Sequence, residues 1–187
     1  MNKKKLYIGW DIGGAHTKYT ISTDRKDTVE CRIMICELWK SLSQLENIIK
    51  NVNVKYKKKF HIINLISMSA EMCDIFSSRK KGVKAILSLF ENKGFVNHIY
   101  SKDSGISKFQ SFKNYSSLAS TNWMAIPDYL KNMDKNIIAI DIGSTTTDIV
   151  LIKNHICINK RHDDYSGLNT KELLYTGALR TPMYSII

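Results

Sequence analysis

Two stretches of the chain, Asp11-Ile12-Gly13-Gly14-Ala15-His16-Thr17-Lys18-Tyr19-Thr20-Ile21 and Asp141-Ile142-Gly143-Ser144-Thr145-Thr146-Thr147-Asp148-Ile149-Val150-Leu151, run in register with one another. Each follows an apolar run, Leu6 to Trp10 in the first case and Ile137 to Ile140 in the second, and each passes into a return segment. An apolar strand, an acidic turn opened by glycine and a second strand, written twice, predict a duplicated α/β architecture. One Asp-x-Gly alone fits an ordinary strand-to-hairpin turn. Two in register ask for a pair of related domains.

The elements between the two turns support that reading. Val29, Cys31, Ile33 and Ile35 alternate as a third strand; Leu38, Leu42, Leu45 and Ile49 fall on one helical face; Phe60 to Ser67 reads as a buried strand returning parallel after the helix. Val83, Ile86, Leu87 and Phe90 then recur at helical spacing in a helix running from Lys81 and stopping near Gly94, with Phe95 to Tyr100 as the next strand. The Ser-, Lys- and Asn-rich stretch from Ser101 to Ser120 reads as a loop, Ser120 to Leu130 as a helix limited by Pro127, and Met133 to Asn136 as a connector. We place a first domain at 1–133 and the start of a second at 134–187.

At 187 residues, 43% of them hydrophobic, the chain can bury one domain and part of another. No apolar run approaches the roughly 18 residues that span a bilayer, and Asp11 interrupts the first run too early for a signal peptide. The expectation is a cytoplasmic protein without a membrane partner. The net charge of +11 raises nucleic-acid binding, and the clusters are Lys3 to Lys5, Lys55 to Lys59 and Arg79 to Lys81. They are mostly lysines at loops and element ends, with few arginines, so a solvated surface is the better reading. Cys31, Cys36, Cys73 and Cys157 form no Cys-x-x-Cys pair and stand at no zinc-like spacing from the histidines, which fits a reducing compartment.

The turns carry phosphate chemistry. Gly13, Gly14 and Gly143 let main-chain amides approach an anion that a Cβ would obstruct, and the hydroxyls of Thr17, Ser144, Thr145, Thr146 and Thr147 can donate to its oxygens. Asp11 and Asp141 can hold Mg²⁺ beside the phosphate, and Lys18 can neutralise charge directly. Glu71 and Asp74, three apart just after the strand ending near Ser67, would share a helical face at that strand's C-terminal end, where open α/β sheets bind ligands. An acidic first turn favouring the helix dipole is the other reading. Asn122 and Trp123 can contact an aromatic ring, or Trp123 can be core. Arg180, in a turn-like stretch after Gly167, suits a diphosphate or carboxylate through its fork, or makes a surface salt bridge.

At both turns the chain resembles the sugar kinase and actin-like ATPase superfamily, whose fold is ribonuclease H-like, and within it the hydantoinase and oxoprolinase branch. The resemblance narrows to the synthase family of methanofuran biosynthesis, also called tetrahydromethanopterin-linked C1 transfer pathway proteins. The residues carrying it are Gly9 to Lys18, Ser67 to Asp74 with Lys81 to Val83, Ala119 to Trp123, Asp141 to Asp148, and Leu173-Leu174-Tyr175-Thr176-Gly177-Ala178-Leu179-Arg180-Thr181-Pro182. His16 departs from the pattern, where asparagine is usual. The resemblance implies a condensation in which the phenol of γ-glutamyltyramine displaces diphosphate from an aminomethyl-furan-methyl diphosphate. Mg²⁺ and the turns would stabilise the leaving group, with a catalytic set of Asp11, Lys18, Asp141 and Asp148 and a diphosphate in preference to ATP. ATP-dependent hydrolysis or phosphotransfer of the hydantoinase type is the alternative.

A domain needs roughly 100 residues, and few follow Asp141. The expected architecture is therefore a complete first copy and a truncated second. A further alternative follows from that: an inactive fragment, or a subunit completed by a second chain or a homo-oligomer, with exposed edge strands after Ile149 to Lys160 favouring association.

Overall fold

The computed structural model of the chain describes residues 3–23, 28–91, 95–109 and 114–183. The chain divides into two compact units, Met1–Asn122 and Trp123–Ile187.

In the first unit, strand β1 (Lys4–Ile12) is central because its apolar residues recur at every second position, so one face is continuous. Leu6, Ile8 and Ile12 are fully buried and Trp10 nearly so. It turns back into β2 (His16–Ser22), which pairs with β3 (Thr28–Ile35). Helix α1 (Ser43–Lys57) buries Leu45, Ile49 and Val52 along one stripe and places Lys55 and Lys57 in its last turn, where cations complement the dipole. Leu38 and Leu42, expected on this helix, precede it. Leu38 is fully buried instead, and its amide donates to the Gly14 carbonyl at 2.9 Å, tying the connection to the first turn.

Strand β4 (Phe60–Met68) then lies parallel to β1, and after α2 (Arg79–Ser88) β5 (Val96–Ser101) lies parallel to β4. Ser78 caps α2 by accepting from the Lys81 amide, and Val83, Ile86 and Leu87 are buried on its inner face. The helix ends at Ser88; the expected stop near Gly94 lies outside the described residues. The strand order β3-β2-β1-β4-β5, three antiparallel strands followed by two parallel ones, is the ribonuclease H-like arrangement expected of an actin-like ATPase domain. Each fully buried Leu or Ile adds about 1.5–3 kcal/mol.

The stretch from Ser101 to Ser120, read as a loop, also holds β6 (Gly105–Lys108), antiparallel to β5, and a 3-10 turn at Tyr115–Leu118 that buries Leu118. Both are too short for a period to show in sequence. Across the parallel strands a chain of side-chain amides satisfies buried polar groups. Trp10 Nε1 donates to Asn64 Oδ1 at 3.0 Å, Asn64 Nδ2 to Asn97 Oδ1 at 2.8 Å, and Asn97 Nδ2 to the Phe90 carbonyl at 2.6 Å.

The second unit holds most of α3 (Asn122–Leu130), which carries Pro127 within it and stops three residues later, and the hairpin β7 (Asn136–Ile142) and β8 (Thr147–Lys153). Two short strands, β9 (Ile156–Cys157) and β10 (Leu173–Leu174), both pair with β8. Between them α4 (Asp164–Asn169) is closed by a capping box of Asp163 and Ser166, an element too short to announce itself in sequence. Strand β8 is paired on both sides, while β7, β9 and β10 each pair with β8 alone among the described residues. No helix among the described residues is long and apolar enough to cross a membrane.

Candidate functional site

The two turns that match in sequence also match in geometry. The Gly13 amide donates to the His16 carbonyl at 3.1 Å, and the Gly143 amide donates to the Thr146 carbonyl at 2.8 Å. A Cβ on Gly13 would lie 2.9 Å from the His16 oxygen and one on Gly143 3.2 Å from the Thr146 oxygen, so glycine is what lets each turn close. This adjusts one expectation. Because the amides of Gly13 and Gly143 are spent inside the turns, the tip amides that can face an anion belong to Gly14 and Ala15 in the first turn and to Ser144 and Thr145 in the second.

The charged residues differ between the copies in a way register makes plain. Asp11 stands opposite Lys18, and Lys18 Nζ donates to Asp11 Oδ2 at 3.1 Å. The other oxygen, Oδ1, is buried with no hydrogen-bond partner. At the equivalent place in the second copy, Asp141 is exposed and stands opposite Asp148, a second carboxylate. Asp148 is not presented as a free base: Arg161 donates to its Oδ1, and the pair is almost fully buried. Burial pushes the Asp148 carboxyl up against the pull of Arg161, and Asp141 and Asp164 add to the push.

Two of the expected phosphate hydroxyls point elsewhere. Thr17 is fully buried on the same face of β2 as Tyr19 and Ile21, against the Cys36 thiol, because alternation along β2 turns it inward. Thr147, its counterpart on β8, donates its Oγ1 to the Thr176 carbonyl at 2.6 Å. Ser144, Thr145 and Thr146 remain half-buried at the tip of the second turn.

Arg161 organises the second unit, and sequence reasoning missed it. Its guanidinium donates to Asp148 and, at 3.0 Å, to Asp164, and lies 4.3 Å over the Trp123 ring. Trp123 is therefore core, with one face already occupied, and the expectation that it stacks on a substrate ring is corrected. Asn122 beside it is half-buried. Nothing periodic links Arg161 to Asp148 or Trp123 in the sequence, so only the fold reveals the cluster.

The stretch from Tyr175 to Pro182 sits on the second turn. The amides of Leu179 and Arg180 donate to the Ser144 carbonyl at 3.1 and 2.9 Å, and that of Ala178 to the Gly143 carbonyl at 2.9 Å. Gly177 lies so close over the Ser144–Thr145 peptide that a Cβ would come within 2.5 Å of backbone atoms. These contacts hold exposed Arg180 beside the second turn.

Glu71 and Asp74 do not share a helical face. Glu71 lies in a 3-10 turn (Ala70–Met72) and is 1% exposed, whereas Asp74 follows that turn and is exposed, because the chain leaves helical geometry at Cys73. Ser120 Oγ donates to Glu71 Oε1 at 2.9 Å, while Oε2 is buried without a partner. Burial pushes the Glu71 carboxyl above its ordinary 4.5, against the weaker pulls of hydrogen bonds and of Arg79. The sign follows from linkage. Above 4.5 the unfolded chain has released the proton that the folded chain keeps, so stability is full below that pH and falls as pH rises through the folded value. Glu71→Gln, which stays neutral and can still accept from Ser120, is expected to remove that component of the decline. Denaturant unfolding of both proteins between pH 4.5 and 8 should show a difference growing in favour of the variant; a difference constant with pH would show that Glu71 is ionised in the fold.

No family model matches the chain. Over 184 residues, 96% of this chain and 53% of the relative, it is 32% identical to (4-{4-[2-(gamma-L-glutamylamino)ethyl]phenoxymethyl}furan-2-yl)methanamine synthase of Methanocaldococcus jannaschii. Over nearly its whole length the chain is similar to a methanofuran-biosynthesis synthase. A stretch of 54 residues is 48% identical to the synthase of the same name from Methanococcus vannielii, covering 28% of this chain and 23% of that one. The chain thus spans about half the length of the M. jannaschii synthase and about a quarter of the M. vannielii one. Among solved structures, an exopolyphosphatase from Cytophaga hutchinsonii superposes with a TM-score of 0.50 over 89% of this chain and 52% of its own, at 11% identity. That likeness bears on the fold alone, and it agrees with the ribonuclease H-like sheet described above.

Proposed function

We propose that this chain contributes the diphosphate-handling turns to the condensation carried out in methanofuran biosynthesis. In that reaction the phenolic oxygen of γ-glutamyltyramine forms a bond to the furan-methyl carbon, the bond from that carbon to the diphosphate oxygen breaks, and the phenolic proton passes to a base. The observation that carries the reading is the relationship to the synthases over nearly the whole chain, which includes both turns and the segment docked on the second of them.

The residues suit the leaving group. The tip amides at Gly14, Ala15, Ser144 and Thr145 and the guanidinium of Arg180 offer donors and positive charge to diphosphate oxygens, where charge accumulates as the bond breaks. Lys18 donates to Asp11 Oδ2 while leaving its Oδ1 unpartnered. Mg²⁺ fits this arrangement. Although no group of three acidic, histidine or cysteine side chains gathers as a metal site among the described residues, magnesium is ordinarily held by one or two carboxylates with substrate oxygens and water, and Asp11 in the first unit and Asp141 in the second would each offer one such carboxylate. Bound there, it would neutralise developing charge on the diphosphate. Asp148, held by Arg161, serves this reading as a positioning residue and not as the base. Glu71 is too deeply buried to touch substrate unless the Ser120 contact opens, so we assign it to supporting the strand end.

Calorimetry with inorganic diphosphate and with ATP, each with Mg²⁺, tests the reading. Diphosphate is expected to bind more tightly, and Asp11→Asn and Asp141→Asn are each expected to weaken it by at least about tenfold, a loss of about 1.4 kcal/mol. Tighter binding of ATP would favour the hydantoinase-type alternative and overturn the proposal. Release of diphosphate from both substrates would measure whether the chain alone completes the reaction.

A further inference from the structure

Strand β3 is the outermost strand of the first unit's sheet, with β2 on one side and no strand on the other among the described residues. Its apolar side chains stay in solvent: Val29 is 53% exposed, Ile33 66% and Ile35 74%. The stripe is one strand wide. On β2, Lys18, which is bonded to Asp11, stands opposite Ile33, and Thr20 stands opposite Cys31. A layer packed over this face would bury that charge with the isoleucines. A strand added at the edge would cover the isoleucines and leave Lys18 in water.

The other face of β3 carries Glu30 and Arg32. Glu30 is held within its own chain by the hydroxyls of Tyr19 and Tyr56 and by Lys55, and Arg32, whose side chain is 62% exposed, reaches it through Nε at 3.3 Å. Antiparallel copies of β3 related by a two-fold axis normal to the sheet keep each face on its own side, so every such pairing centres on one residue facing itself. Centres at Glu30 and at Arg32 set like charges opposite each other, which is destabilising. A centre at Ile33 leaves Arg32 opposite Met34 and Glu30 past the end of the strand at Ile35. The centre at Cys31 sets each Glu30 against the partner's Arg32 and each Val29 against the partner's Ile33. The β-bulge that leaves Val29 out of the β2 pairing ends the regular strand there, so this register spans residues 29–33.

We infer that two copies of this chain join through β3, antiparallel and centred on Cys31, continuing the six-stranded sheet across the two-fold axis. The interface is isologous, so each favourable pair is made twice. Cys31 then faces the partner's Cys31 at a Cα separation of about 4.5–5.5 Å, within what a disulfide spans. Cys31 is exposed, whereas Cys36 is buried and Cys73 and Cys157 are half-buried. The pairing uses the first unit alone and is independent of the functional reading above.

Sedimentation equilibrium of the full chain over a concentration series is expected to show a dimer, with β3 amides exchanging at least about tenfold more slowly at the concentrated end. Oxidation by diamide is expected to link the copies through Cys31, and Cys31→Ser to abolish the link while the dimer persists. Arg32→Glu, which sets a carboxylate opposite each Glu30, and Ile33→Lys should each weaken the dimer at least about tenfold, since the symmetry counts each change twice. Both sites are exposed, and unchanged protection of the β1 and β4 amides would show that the fold is kept. Ile138→Lys, on β7, should leave the dimer intact. A chain that is monomeric at every concentration would overturn the proposal. So would a dimer that Ile138→Lys weakens and the two β3 variants do not, or a link formed through another cysteine.

Discussion

Replacing Arg161 by methionine is expected to destabilise the second unit by about 3–5 kcal/mol, the range for breaking a buried ion pair by removing one partner. Its guanidinium neutralises Asp148 and Asp164 and covers the Trp123 ring, with side-chain exposures of 4%, 13% and 23% for Arg161, Asp148 and Asp164. Methionine keeps much of the volume but leaves the Asp148 carboxylate buried opposite Asp141 with no cation. Its position is already poor, because burial raises its pKa even with arginine in place. The loss should be partly rescued by Asp148→Asn, which removes the charge that Arg161 serves. Denaturant unfolding of the four proteins of this cycle measures the coupling, and a double variant no more stable than Arg161→Met would show that arginine acts through Trp123 packing instead.

Gly177→Ala is expected to undo the docking of the segment from Tyr175 to Pro182 on the second turn. A methyl group there would overlap the Ser144 carbonyl carbon and the Thr145 amide at 2.5 Å, and backbone on both sides leaves nothing flexible to give way. The hydrogen bonds from Ala178, Leu179 and Arg180 to Gly143 and Ser144 should then be lost together. Hydrogen exchange is expected to show those three amides unprotected while β7 and β8 keep their protection. If Arg180 serves the diphosphate, a displacement of about 1 Å is enough to lower turnover by roughly 10²-fold in the assembled enzyme. Retained protection at Ala178 to Arg180 would show that the turn can shift to accommodate the methyl.

The repeated Asp-Ile-Gly turn was the legible part of this chain. Its register predicted both hairpins, and the helical spacing of Leu45 and Ile49 and of Val83, Ile86 and Leu87 predicted the helices that cover the first sheet. Alternation also contained the correction of Thr17, since a residue two before Tyr19 on a half-buried strand must share its inward face. What stayed hidden depends on contacts between distant residues. Arg161 meets Asp148 and Trp123 only after the chain has returned through β9, and Glu71 meets Ser120 only after one helix, two strands and a 3-10 turn have intervened. The short elements β6, α4 and β10 carry too few residues for a period to emerge.

The chain of amides through Trp10, Asn64 and Asn97 has a consequence for how reproducibly the site is built. Parallel strands lined with isoleucine and leucine offer nearly equivalent packing if one slides past another by two residues, since the same faces still meet. Asn64 removes that degeneracy: a slide would strand its amide, and the indole nitrogen of Trp10, without partners in the interior. The three residues act as a detent, making the alignment that places Asp11 beside Ser67 and just ahead of Glu71 the one in which the interior is satisfied.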